Sequence, residues 1–344
     1  MDLEQTRRFQ QRRRAPVSPQ EIIDGIIAGD RAMLARGITL IESSVPAHQE
    51  PAQQILEACL PHTNGSIRVG ITGVPGVGKS TFIEALGVHL TRERSEKVAV
   101  LAVDPSSPIS GGSILGDKTR MTRLGLDPHA YIRPSPAGSS IGGVARKTRE
   151  AIVLCEAAGY RNIFVETVGV GQSEVAVAGL TDFFLLLALS GAGDELQGMK
   201  RGIMEMTDLT AINKADGENR VPSEAARRLY ESALKLFPPR SSGWSPRVVT
   251  CSSRTGEGVA AIWKMVLEHH GETVRSGWYE KNRREQARKA MYAAIENGLR
   301  DRFFSYPGVK RDLARLETEV LEGRISAYRA ARQLLDHLNE TKPE

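Results

Sequence analysis

The stretch Gly73-Val74-Pro75-Gly76-Val77-Gly78-Lys79-Ser80-Thr81 constrains this 344-residue chain more than any other. It has the spacing G-x-x-x-x-G-K-S. Before it runs an apolar segment, Ile67 to Ile71, that reads as a buried strand; after it comes an amphipathic segment, Thr81 to Leu90, that reads as a helix. Strand, glycine-rich loop and helix in that order make a P-loop. The glycines allow a tight turn in which several backbone N–H groups point inward at a phosphate, and the helix dipole adds positive potential there. Lys79 is then placed to reach β- and γ-phosphates, and Ser80 to offer its hydroxyl oxygen to Mg²⁺. Without the flanking strand and helix, the same letters would describe only a glycine-rich turn.

The P-loop demands an α/β setting, and residues 66–272 supply one. Apolar runs at Ile67–Thr72, Val98–Val103, Ala130–Arg133, Asn162–Glu166, Phe183–Leu189, Leu209–Asn213 and Arg247–Cys251 read as strands. Helical stretches fall between them at Thr81–Thr91, Gly142–Ala158, Asp194–Glu205, Pro222–Leu236 and Glu257–His269. Continuous rather than alternating apolar strands imply a mainly parallel sheet covered by helices on both faces. Residues 1–65 read as an N-terminal helical extension, opened by the capping box Ser18-Pro19-Gln20-Glu21 and followed by an apolar face of Ile22, Ile23, Ile26 and Ile27. Residues 273–344 read as a C-terminal helical arm with three apolar stripes. These are Met291, Ile295, Leu299 and Phe303; Leu313, Leu316 and Val320; and Ile325, Tyr328, Ala331, Leu335 and Leu338.

Composition narrows the function classes. Net charge is +5, with the basic residues spread along the chain except for Arg7, Arg8 and Arg12 to Arg14. No aromatic residues interleave with that run to stack bases and no apolar helix face accompanies it, so neither nucleic acid nor a membrane is expected as a partner. Cys59, Cys155 and Cys251 are far apart and odd in number, which suggests neither a disulfide framework nor a zinc site. The longest apolar run, Phe183 to Leu189, is too short to span a bilayer and no signal-peptide core follows the basic N-terminus, so a soluble, cytoplasmic protein is expected.

A second motif identifies the base. Asn213-Lys214-Ala215-Asp216 ends a strand and has the N-K-x-D form of guanine recognition. The Asp216 carboxylate can accept from guanine N1–H and from the 2-amino group, and adenine offers neither donor. Two charge-assisted bonds at ~1.5–3 kcal/mol each give ~3–6 kcal/mol, roughly two to four decades of preference for GTP over ATP. The Lys214 stem is expected over the base, and Asn213 is expected to tie this loop to the P-loop. Ser252, Ser253 and Arg254 follow the next strand and match by position the loop in which GTPases commonly direct backbone N–H groups at guanine O6. Mg²⁺ needs oxygen ligands besides Ser80, and the candidates are Asp104, Asp117 and Glu166. Glu166 opens Glu166-Thr167-Val168-Gly169, an E-x-x-G where many GTPases have D-x-x-G. Val170 stands where Ras-like enzymes place the water-orienting glutamine, which leaves Gln172 as the candidate for that role. Arg120, Arg123, Arg146 and Lys200 are candidates to neutralise transition-state charge, so slow intrinsic hydrolysis accelerated by a partner is expected.

Taken together, these residues resemble the MeaB/ArgK family of GTPases, to which the methylmalonic aciduria type A protein belongs. The likeness rests on the P-loop, Val103 to Pro108, Gly111 to Asp117, Arg133-Pro134, Glu166 to Glu174, Gly193 to Gly198 and Asn213 to Asp216. The resemblance implies a GTP-hydrolysing metallochaperone that associates with methylmalonyl-CoA mutase or a related acyl-CoA mutase and gates adenosylcobalamin delivery, protection and reactivation. It implies that Lys79 and Ser80 hold phosphate and Mg²⁺, that Asp104, Asp117 and Glu166 surround the metal, and that Lys200 sits in a further switch loop. It also implies a homodimer formed through the C-terminal helices. Asp127-Pro128-His129 lacks the glycine of the cobalamin-binding D-x-H-x-x-G pattern, so adenosylcobalamin is expected on the partner. Two other classes compete: a GTP- or ATP-dependent kinase of a transport protein, the older ArgK reading, and a nickel- or cobalt-inserting GTPase. His269-His270 is the only adjacent histidine pair and has no cysteine near it in sequence, which counts against metal insertion.

Overall fold

Seven strands form at the seven apolar runs: β1 Ile67–Gly73, β2 Val98–Val103, β3 Ala130–Arg133, β4 Asn162–Thr167, β5 Phe183–Leu189, β6 Leu209–Asn213 and β7 Arg247–Thr250. They make one sheet in the order β3-β2-β4-β1-β5-β6-β7, and every pairing is parallel. The computed structural model describes residues 17–63, 65–103, 121–134, 141–167, 173–191 and 201–338. β1, which carries the P-loop, is the middle strand. All residues of β1, β2 and β4 are buried, as their unbroken apolar character requires when helices lie on both sides.

The N-terminal helices are α1 Pro19–Ile27, α2 Arg31–Glu42 and α3 Gln49–Cys59. Ser18 forms the expected capping box with Glu21, and Asp30 caps α2. Next come α4 Lys79–Val88 with a π-helical turn at His89–Glu93, α5 Thr122–Gly125, α6 Ile141–Ala157, α7 Ser173–Ala178 and α8 Arg201–Met206. The series ends with α9 Arg220–Leu234, α10 Val259–Arg275, α11 Trp278–Ser305, α12 Pro307–Leu321 and α13 Ala327–Asp336. One face of the sheet packs on α6 and α7. The apolar faces of α1 to α3, including Ile26, Leu34, Ile38 and Ile55, continue that core through Ile152, Leu154 and Cys155 of α6. The other face packs on α4 and α10 through Phe82, Leu86, Ile262, Trp263 and Val266.

At the amino ends of the strands lies a buried ionic cluster. Arg68 donates from Nε to Glu156 Oε1 at 2.8 Å, and its backbone N–H donates to Asp182 Oδ2 at 2.9 Å. Arg283 donates to both oxygens of Asp182, at 2.5 and 2.6 Å, and to the Ser66 carbonyl at 3.0 Å. Burial pushes the Glu156 carboxyl up, but Arg68, Arg283 and the Ser66 hydroxyl outweigh it and hold the group below the ordinary carboxylate range. His269 lies nearby in the fold of α10, ringed by Phe183, Trp244 and Trp278.

Residues up to Arg283 form one compact unit and residues from Arg284 a second. In the second, Val309, Leu316, Ala330 and Leu334 make a small core flanked by Phe303, Leu313, Val320 and Ile325. The second expected stripe therefore packs as read. The third is displaced by one residue: α13 buries Ala330 and Leu334 and leaves Tyr328, Ala331, Leu335 and Leu338 exposed. An i+3/i+4 pattern of alanine and leucine suits two adjacent registers, and contact with α12 selects one. Of the first stripe only Phe303 joins the core; Met291, Ile295 and Leu299 are exposed. No helix among the described residues is long and apolar enough to cross a membrane.

Candidate nucleotide site

The P-loop leaves the tip of β1 and turns directly into α4. Two of its glycines are required by geometry. Gly73 has φ 151°, and a Cβ there would lie 2.4 Å from the Leu187 carbonyl oxygen; Gly78 has φ 98°, and a Cβ would meet Asn213 Nδ2 at 2.8 Å. Lys79 Nζ donates to the Gly73 carbonyl at 2.7 Å, so its charge is folded over the loop. α4 begins at Lys79, two residues before the expected Thr81, and presents its first-turn N–H groups and Ser80 toward the same loop.

Ser80 Oγ donates to Glu166 Oε1 at 3.2 Å. Glu166 is 3% exposed at the end of β4, beside Ile71 of β1. A hydroxyl and a carboxylate oxygen side by side at the phosphate end form the hard-oxygen donor set that suits Mg²⁺. Asp104, Asp117, Gln172 and Lys200 lie outside the described residues, as do Gly169 and Val170.

The guanine end is built from the tips of β6 and β7. Asn213 Nδ2 donates to the Val77 carbonyl at 2.8 Å, the tie to the P-loop expected from the sequence. Asn213 Oδ1 accepts from Ser253 N at 3.0 Å and from Ser253 Oγ at 2.8 Å. Lys214, at φ 60°, donates from Nζ to the Gly76 carbonyl at 2.7 Å, so its stem spans from the base loop to the P-loop. Asp216 Oδ1 accepts from Ser252 Oγ at 2.9 Å, and Arg254 Nε stands 3.6 Å from Oδ2. The residues selected from the two motifs thus converge, although they are 136 positions apart in the chain at the Asn213–Val77 contact. Burial pushes the adjacent Cys251 thiol up to about 12, which keeps it neutral and a packing group.

Two side chains at this end were not singled out from the sequence. Thr72 and Thr167 hydrogen-bond through their hydroxyls at 2.9 Å beneath the loop. The available signal was a hydroxyl at the end of each of two otherwise apolar strands. Asp127, of the incomplete cobalamin-like triplet, serves a turn: its carboxylate accepts from His129 N at 2.9 Å and from Thr91 Oγ1 at 2.8 Å.

Comparison with known proteins places the chain in a family. A probable GTPase of Mycobacterium tuberculosis is 49% identical over 325 residues, covering 93% of this chain and 96% of its own. A mitochondrial methylmalonic aciduria type A homolog of Mus musculus is 46% identical over 321 residues, covering 90% of this chain and 77% of its own. The crystal structure of a LAO/AO transport system kinase superposes with TM-score 0.75 at 36% identity, covering 94% of this chain and all of that one. Residues 34–307 match the family described as methylmalonyl Co-A mutase-associated GTPase MeaB. The chain is a P-loop GTPase and belongs to the MeaB family.

Proposed function

We propose that this GTPase is a chaperone for methylmalonyl-CoA mutase or a related cobalamin-dependent acyl-CoA mutase, and that it uses GTP to gate adenosylcobalamin delivery and the protection or reactivation of that partner. The observation that carries the reading is the family match over residues 34–307, supported by the methylmalonic aciduria type A relative. Adenosylcobalamin is assigned to the partner. In the nucleotide site, Asp216 reads the guanine edge, oriented by Ser252, while Asn213 and Lys214 fix the base loop against the P-loop. Ser253 and Arg254 complete that lip. Gly73 to Gly78 wrap the phosphates with backbone N–H groups, Lys79 supplies positive charge, and Ser80 and Glu166 hold the metal. Mg²⁺ bound there would neutralise charge developing on the β- and γ-phosphates. Asp104 and Asp117 are proposed as further metal-side carboxylates, and Gln172 and Lys200 as hydrolytic residues. The exposed row Met291, Ile295 and Leu299 and the exposed face of α13 suit a homodimer arm.

The test is GTP turnover by the purified protein with and without the mutase, beside Asp216→Ala. A slow basal rate that the mutase raises severalfold, and that Asp216→Ala loses, supports the reading. Indifference to the mutase overturns the partner assignment while leaving the GTPase intact. The kinase reading, which the name of the solved relative suggests, requires labelled phosphate to pass from nucleotide to a transport protein.

A further inference from the structure

The sheet opens between β1 and β4 where the site begins. The two strands pair up to Ile71 and Glu166. Beyond that point β1 follows β5, with Gly73 beside Leu187, and β4 follows β2, with Thr167 beside Val103. Past the Ile71–Glu166 rung the tips therefore part, with the P-loop continuing from β1 on one lip and Thr167 ending β4 on the other, the usual place for a ligand in an open parallel sheet. Across the parting, Thr167 Oγ1 donates to Thr72 Oγ1 at 2.9 Å. Thr167 is 0% exposed and Thr72 2% exposed.

Strand alternation places this contact opposite the chemistry. Ile71 and Glu166 share the face packed on α4, where Glu166 meets Ser80; Thr72 and Thr167 point to the other face, where α7 packs over β1 and β4. Packing alone does not call for two hydroxyls there. Valine has nearly the same shape and buries without needing a partner, whereas a buried hydroxyl left unbonded is unfavourable.

We infer that the Thr72–Thr167 pair is a positioning pair: it sets the width of the parting past the last backbone ladder bond, and so holds Glu166 at its distance from Ser80. The inference rests on the assignment of Ser80 and Glu166 to the metal proposed above. Both threonines are buried on the face of the sheet away from Ser80. Losing the bond lets the lips relax apart, which weakens metal-dependent turnover and leaves the base and P-loop contacts alone.

The experiment compares Thr167→Val, Thr72→Val, the double variant and Thr167→Ser in the full chain. Three quantities are read: single-turnover GTP hydrolysis, the Mg²⁺ concentration giving half-maximal rate, and GDP affinity in EDTA. Thr167→Val is expected to lower the rate about tenfold, to raise the half-maximal Mg²⁺ severalfold, and to change metal-free GDP affinity less than about twofold. Thr167→Ser keeps the hydroxyl and should recover the rate to within about threefold of the parent. Thr72→Val should match Thr167→Val, with the double variant no worse than either, because all three remove one bond. A valine variant with parental rate and Mg²⁺ dependence, or a serine variant as impaired as valine, overturns the inference. Should Thr167→Val fail to fold, Thr72→Val read against Thr72→Ser gives the same decision. Glu166→Gln run alongside separates the two levels. If it leaves Mg²⁺ dependence unchanged, the metal assignment fails; if it shifts that dependence and the valine variants do not, the positioning pair alone fails.

Discussion

The two ends of the sheet employ the same side-chain types to opposite effect. At the amino end, Arg68, Glu156, Asp182 and Arg283 neutralise one another; the carboxylates are 3% exposed and the arginines 10% and 17%. At the carboxyl end, Asp216 and Arg254 also form an ion pair, but at 3.6 Å, with Arg254 85% exposed. Charges whose hydrogen bonds are consumed by neighbours hold the fold. Charges left partly in water hold something that comes and goes.

This contrast is open to direct attack. The largest expected effect is on ligand at the open end: Asp216→Ala should weaken GTP binding by ~3–6 kcal/mol in calorimetry while barely moving the unfolding midpoint. At the closed end, Arg283→Met leaves buried Asp182 without a charged partner while Glu156 keeps Arg68, and denaturant titration should register a loss of ~3–5 kcal/mol. GTP affinity, measured below the unfolding transition, should stay near the parent value. An Arg283 variant as stable as the parent would remove the contrast.

Two smaller effects concern pH and exposure. Burial holds the His269 pKa below its ordinary 6.5, against the opposing pull of Asp208 and Asp182. The unfolded chain then takes up a proton below about pH 6.5 that folded His269 refuses. Stability should be full above that pH and fall by up to ~1.4 kcal/mol per pH unit on acidification, until the folded value is reached. His269→Gln should flatten this slope in stability curves taken from pH 7 downward. Glu156 acts lower: its depressed pKa contributes stability above the ordinary carboxylate range that is lost as pH falls through the lowered value. The smallest effect is expected from Arg254→Ala, whose exposed ion pair should contribute no more than ~1 kcal/mol to unfolding. A larger loss would mean the open end is also structural.

What the sequence disclosed follows the same division. The nucleotide site was legible because its chemistry is written in short segments with fixed spacing: G-x-x-x-x-G-K-S and N-K-x-D each carry their own geometry. The strands were legible because β2 and β5 are uninterrupted apolar runs flanked in sequence by polar residues. The closed end was not. Arg283 and Asp182 are 101 residues apart, Arg68 and Glu156 88, and no local pattern pairs them until the topology brings the strand starts together. The pairing of Thr72 with Thr167, 95 apart, has no local signature for the same reason. The register of α13 failed differently: two adjacent apolar stripes were both available, and only contact with α12 chose between them.

Asn213 has a consequence for how whole nucleotides are weighed against fragments. Its side chain reaches Val77 on one lip and Ser253 on the other, and Lys214 adds a second span to Gly76. The base subsite and the phosphate subsite therefore sit at a fixed separation, and a nucleotide that matches it binds as a chelate. In the proposed assignment, once the phosphates are seated guanine would meet Asp216 at an effective concentration on the order of millimolar or above, without diffusing to it. Guanosine alone and inorganic phosphate alone should each bind weakly, and Asn213→Ala should erode the advantage of the joined molecule more than the affinity of either piece.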